Sequence, residues 1–207
     1  MGKPKTIREF VIMNTGTVIF LNGTSSAGKT SISNELMQIM NEDFIYLSVD
    51  NAISGANDML MNMFGNQITR EEISTIEHEE MIENPVISLF HHYIMAFSRI
   101  GKNLIVDHVL IDRLWLEECI KLLHNIQTYY IGVHCPLEEL ERRERERGDR
   151  PIGLAKAQYE IVHKHSRYDF EVSTNNNPIT ECAEMIKDFI NTNQPSVLKE
   201  LKVIMDL

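Results

Sequence analysis

Short apolar runs alternate along this chain with longer stretches in which apolar residues recur every three or four positions. Val18-Ile-Phe-Leu21 is too short for a helix and is flanked by turn formers, so it predicts a buried parallel strand. Ile32, Leu36, Ile39 and Met40 then fall at helical spacing and predict a helix reaching about Asn41. Further β-type runs follow at Phe44–Val49, Asn103–Asp107, Thr128–His134 and Phe170–Val172. Between the second and third, residues 52–100 read as mostly helical, with a break around 65–69 and a restart at Pro85; Thr69-Arg-Glu-Glu72 has capping-box spacing. Helices are also expected over Asp112–His124, from Pro136 onward, over 153–168, over Pro178–Thr192 and, briefly, over Ser196–Leu207. Strands alternating with helices predict an α/β fold, a five-stranded parallel sheet with helices on both faces. At 207 residues the chain is most simply one domain, 1–207.

The turn after the first strand changes the picture. Gly23-Thr24-Ser25-Ser26-Ala27-Gly28-Lys29-Thr30 is a G-x-x-x-x-G-K-T pattern set between a strand and a helix, the context of a phosphate-binding loop of the P-loop NTPase kind. Glycines and small side chains let backbone N–H groups curl around phosphate oxygens at the positive end of a helix, which Ser31 continues. Lys29 would reach the β- and γ-phosphates, and the Thr30 hydroxyl would join a Mg²⁺ shell. The sequence therefore predicts binding of a nucleoside triphosphate.

Charge and cysteine usage narrow the setting. A formal net charge of −10 argues against broad binding to a nucleic-acid backbone. Cys119, Cys135 and Cys182 are odd in number and far apart, as expected of reduced, packed thiols in a cytoplasmic protein. No apolar run is long enough to span a membrane. Met1-Gly2-Lys3-Pro4-Lys5-Thr6 fits the loose N-myristoylation pattern, but a polar leader over residues 1–16 is the simpler reading. The sequence is compatible with a homo-oligomer and with a small-molecule hydroxyl compound as partner.

Other polar groups divide into candidates and bystanders. Asp50 closes the second strand, where an α/β sheet presents groups to its ligand; it is either a catalytic carboxylate or a helix cap, and position favours the former. Asp107 closes the third strand, either as a group holding Mg²⁺ or as a loop or cap residue. In the run from Glu138 to Arg150, pairs at i,i+4 (Glu138–Arg142, Glu139–Arg143, Glu141–Arg145) read as a salt-bridged helix. Arg147 and Arg150 differ because they flank Gly148, where the helix should stop; guanidinium groups there could close over a triphosphate. Residues 142–152 are thus expected to form a lid, and 51–100 a helical substrate-side region beside the 17–50 phosphate-loop unit. The cluster at Met59, Leu60, Met61, Met63 and Phe64 reads as core. Glu77-His78-Glu79-Glu80 and His91-His92 suggest metal ligands, but neighbours along a helix point to different faces.

Five pieces carry a resemblance. Asn22-Gly23-Thr-Ser-Ser-Ala-Gly28-Lys29-Thr30, Val49-Asp50, Ile105-Val-Asp107, Arg143-Glu-Arg-Glu-Arg147-Gly148-Asp149-Arg150 and Gln158…Val162-His163…Tyr168-Asp169…Glu171-Val172 resemble the chloramphenicol phosphotransferase-like proteins, in order, from about Thr17 to Ile190. The resemblance implies a P-loop kinase with an arginine lid that uses ATP and Mg²⁺ to phosphorylate a small-molecule hydroxyl. It matches Asp50 to a catalytic aspartate, Lys29 to the phosphate-loop lysine, and Arg143, Arg147 and Arg150 to lid arginines. The family often closes its fifth strand with Val-Asp-Thr, where this chain has Val172-Ser173-Thr174. Two rival readings are a kinase for another acceptor (nucleoside, sugar or metabolite) and a nucleotide-binding regulator that turns over little.

Overall fold

The computed structural model describes residues 15–64, 83–148, 152–164 and 167–207. In chain order the elements are β1 (Val18–Asn22), α1 (Lys29–Ile39), β2 (Phe44–Ser48), α2 (Val49–Phe64), α3 (Asn84–Arg99), β3 (Asn103–His108) and α4 (Arg113–Leu123). They continue with β4 (Thr128–His134), α5 (Leu137–Arg147), α6 (Leu154–Tyr159), β5 (Phe170–Ser173), α7 (Ile179–Thr192) and α8 (Val197–Ile204). The expected fold is present: one five-stranded sheet in the order β2-β3-β1-β4-β5, every neighbouring pair parallel.

Alternation along the central strand builds the two layers. Val18 and Phe20 face one side, with Leu104, Val106 and Tyr130, and pack against Ile87, Phe90 and Ile94 of α3, Ile120 of α4 and Leu201 of α8. Ile19 and Leu21 face the other, with Ile105 and Ile131, against Ile32 and Leu36 of α1, Leu140 of α5, Ala155 of α6 and Ile186 of α7. Both faces are covered, which is why the strands read as continuous apolar runs. Parallel register sets Leu21 of β1 opposite Asp107 of β3, so the end of β3 emerges beside the start of the phosphate loop.

Several boundaries differ from expectation. The second strand stops at Ser48 and Val49 already belongs to α2, so Asp50 lies in the first turn of a helix, where a carboxylate is favoured by the unpaired N–H groups. The helix expected over 153–168 is only Leu154–Tyr159; the chain then turns, with both Ile161 and Val162 N–H groups on the Gln158 carbonyl. Met59, expected in the core, is exposed. In α5 the Glu139–Arg143 pair forms as anticipated, but Arg142 bonds Glu139 and Glu146 instead of Glu138. Pro85 does open α3, and the three cysteines are free and buried, with burial raising their thiol pKa values. Residues 1–14, the 65–69 break, the 69–72 capping box and the 77–80 acidic run lie outside the described residues. Among the described residues no helix is long and apolar enough to cross a membrane.

One buried carboxylate joins the two helices that flank the arginine segment. Glu144 of α5 is almost fully buried and accepts the Gly153 N–H at 2.7 Å and the Ala155 N–H at 2.8 Å. Those backbone donors hold its carboxyl below the usual range. Glu144→Gln should therefore lower unfolding free energy by about 2 kcal/mol at pH 7, by loss of a charged acceptor from a buried site. A depressed folded-state pKa gives stability that is whole above the unfolded value of 4.5 and is lost progressively as pH falls through the lower folded value, so the wild-type advantage should be smaller at pH 3.5 than at pH 7. Urea melts of both proteins at pH 7 and pH 3.5 check this; an equal difference at both would show that the carboxylate is not the source.

Candidate active site

The loop between β1 and α1 is bent as phosphate binding requires. A side chain at Gly23 would put its Cβ 2.3 Å from the Val133 carbonyl oxygen, and Gly28 has φ 94°, so both positions need glycine. Ser26 is left-handed as well, at φ 64°, a strained conformation of the kind that collects at ligand sites. Its hydroxyl oxygen is buried with no hydrogen-bond partner among the described residues.

Around this loop a cavity of about 360 Å³ opens, lined by Ser25, Ser26, Gly28, Lys29, Thr30 and Ser31 together with Asp50, Asp107, Arg143 and Arg147. Gly23, Thr24 and Ala27 of the same loop are buried and do not line the cavity. Lys29 is 6% exposed; its Nζ donates to the Thr24 carbonyl at 2.9 Å and lies 3.6 Å from Asp107 Oδ1. Asp107 Oδ2 accepts from Thr30 Oγ1 at 2.7 Å and from the Tyr46 hydroxyl at 3.2 Å. Burial and the Asp107 charge raise the Tyr46 pKa, so the phenol keeps its proton.

The expected arginines fall in three situations. Arg143 is fastened: Nε to Glu139 at 2.7 Å, one amino group to Thr174 Oγ1 at 2.9 Å, the other to the Thr174 carbonyl at 3.0 Å. Thr174 Oγ1 in turn donates to the Ala27 carbonyl at 2.8 Å, tying the end of β5 to the phosphate loop. Arg147 lines the cavity from the last position of α5, just before Gly148 ends that helix at φ 66°. Arg150 lies outside the described residues. The Arg142 and Arg143 hydrogen bonds bring the Glu139 carboxyl down to about 2.

Thr174, Asn177, Pro178 and Ile179 also line the cavity, and Tyr46 bonds Asp107, site residues that no sequence motif marks. Only their position after the fifth and within the second strand could have flagged them. His91, set aside as a metal ligand, proves to be buried, with Nδ1 2.6 Å from Glu118 and Nε2 2.9 Å from His108 Nε2. Burial lowers the pKa of both histidines. Among the described residues no group of three or more His, Cys, Asp or Glu could hold a metal by itself.

Comparison with known proteins turns this geometry into an identity. The family model described as "Chloramphenicol phosphotransferase-like protein" matches residues 16–191. The chain belongs to that family. A Mycobacterium tuberculosis (strain H37Rv) protein named "Putative O-phosphotransferase" is 30% identical over 186 residues, spanning 85% of this chain and 83% of that protein. Among solved structures, the Mycobacterium tuberculosis APS kinase in complex with AMPPNP and APS matches at TM-score 0.58 and 18% identity, over 86% of this chain and 99% of that one. Shikimate kinase from Acinetobacter baumannii in complex with shikimate matches at TM-score 0.60 and 14% identity, over 87% and 96%. At such identities these two show the fold, that of the P-loop kinases. Family and fold together make this chloramphenicol phosphotransferase-like protein a phosphotransferase of the small-molecule kinase type.

Beside the cavity, His163 stacks on His134 with ring centroids 4.1 Å apart, and its Nδ1 lies 2.7 Å from the Tyr168 hydroxyl. Burial, with the charges of His134 and Lys29, lowers its pKa from 6.5 to about 4. The unfolded chain then takes up more protons across that window, so this group's contribution to stability is present above pH 6.5 and lost as pH falls toward 4. His163→Asn should flatten the fall in unfolding free energy between pH 6.5 and 4.5, measured by urea titration. An unchanged slope would mean that His163 is not held neutral in the folded protein.

Proposed function

We propose that the protein transfers the γ-phosphoryl group of ATP to the hydroxyl of a small molecule, chloramphenicol or a related compound. The observation that carries this reading is that Asp50, Lys29, Thr30, Asp107 and Arg147, drawn from four elements, line one cavity over the phosphate loop. Loop N–H groups and Lys29 bind the phosphates, and the orphan Ser26 hydroxyl suits a phosphate oxygen. Thr30 and Asp107 offer the hard oxygen donors that would hold Mg²⁺, which would supply positive charge against the phosphates there. Asp50 orients the acceptor hydroxyl and takes its proton, while Arg147 and Arg150 offset charge on the phosphoryl group in flight and Arg143 braces the loop through Thr174.

A second reading keeps the chemistry and changes the acceptor. It is favoured by the fold's range: one solved neighbour is an APS kinase, another a shikimate kinase. The fold thus accepts unlike hydroxyl compounds, and acceptor choice rests with the side chains facing Asp50.

Asp50→Asn should lower turnover by about 10²- to 10⁴-fold with little change in ATP affinity, as loss of a general base does. The check is a mass-spectrometric search for phosphorylated product from ATP, Mg²⁺ and chloramphenicol, run beside pooled hydroxylated metabolites. Product from the wild type alone supports the assignment. Equal product from the variant removes Asp50 as base, and phosphate found only on a metabolite supports the second reading. ATP binding without any product would favour a regulator.

A further inference from the structure

Gln158, Val162, His163, Tyr168 and Asp169 belong to a motif for which phosphoryl transfer supplies no role. Their hydrogen bonds supply one. Gln158, near the end of α6, accepts the Ser25 N–H of the phosphate loop on Oε1 at 2.8 Å. The Val162 carbonyl accepts from Asn22 Nδ2 at 3.1 Å, and the same nitrogen donates to the Tyr168 hydroxyl at 2.8 Å. Asn22 Oδ1 accepts the Leu110 N–H at 2.8 Å, in the turn that follows Asp107. Because one partner is a backbone donor and another a backbone acceptor, the orientation of this fully buried amide is fixed.

The rest of the motif fastens the segment in place. A Cβ at Gly132 would stand 2.7 Å from the Tyr168 ring, so only a bare backbone in β4 lets that ring reach Asn22. Asp169 accepts from Tyr130 N–H at 2.9 Å, Ser196 N–H at 2.8 Å and Val197 N–H at 3.0 Å, joining the segment to β4 and to the start of α8.

We propose that Asn22 and Gln158 are positioning residues for phosphoryl transfer, clamping the segment after α6 to the phosphate loop and to the turn beyond Asp107. The proposal rests on the phosphotransferase reading. Asn22 fixes the spacing between Gly23, which it precedes, and the strand end that carries Asp107. Gln158 fixes the outer turn of the loop through an uncharged oxygen, adding no repulsion beside a triphosphate. The Lys29 ammonium is held by the Thr24 carbonyl and the Asp107 carboxylate. Nucleotide binding should therefore survive loss of the clamp, whereas in-line transfer, which tolerates far less misplacement, should not.

The experiment compares wild type, Gln158→Ala and Gln158→Glu. For the alanine variant, ATP–Mg²⁺ affinity by calorimetry should stay within about threefold, while kcat on the accepted hydroxyl compound falls about 10- to 100-fold, as sub-ångström misplacement does. Glutamate restores the acceptor for Ser25 but brings a charge, so kcat should recover while ATP affinity drops about tenfold by repulsion. A merely structural role would not produce that opposite split. Wild-type kcat in Gln158→Ala, or a loss confined to ATP affinity or to the melting temperature, would overturn the proposal. If the wild type binds ATP but phosphorylates nothing, the phosphotransferase reading fails separately. The clamp is then judged by exchange of the Ser25 amide proton in nitrogen-labelled protein: faster in Gln158→Ala supports it, unchanged overturns it.

Discussion

A lysine ammonium that is 6% exposed has lost most of its water, and the protein must supply what water gave. Lys29 receives the Thr24 carbonyl and the Asp107 carboxylate, and both depend on distant parts of the chain. The carbonyl is aimed by the tight loop that Gly23 and Gly28 permit. The carboxylate arrives because β3 lies beside β1 in parallel register, Leu21 opposite Asp107. Sheet order, loop conformation and buried charge are thus one constraint. Asp107 also takes the Thr30 and Tyr46 hydroxyls, so its charge is shared among groups that a phosphate and its cation would rearrange but not strand.

The fold was legible because its rules are local. Five short apolar runs, separated by helical periodicities, could close only into a covered parallel sheet, and the glycine-lysine-threonine pattern marked where a ligand sits. The places of Lys29, Thr30, Asp107 and Arg147 follow from being at strand ends, a helix start or a helix end. Asp50 was one element off, because Val49 satisfies a β-type pattern and a first helical turn equally well.

What stayed hidden was set by pairings across the sequence. Residues 160–164 have helix-like composition, yet they form turns, and the Val162 carbonyl and Tyr168 hydroxyl both bond Asn22, some 140 positions earlier. His91 looked idle beside His92, and nothing in its own helix announces His108 as its partner. Arg143 sits one turn before Arg147 on α5, but its guanidinium is committed to Thr174 as a brace. Such distinctions need coordinates, since identical residue types at helical spacing end in different tasks.

Asn22 also has a bearing on how the molecule comes into being. Its three partners stand 88, 140 and 146 positions away. Contacts so distant in sequence form late, after loop-closure entropy has been overcome by the assembled sheet. During synthesis the phosphate loop is made early, and the Asn22 amide can exchange water for its protein partners only once the segment after α6 has emerged. The site is therefore a product of the completed chain: an amino-terminal fragment could carry every residue of the G-x-x-x-x-G-K-T pattern and still lack the clamp around it.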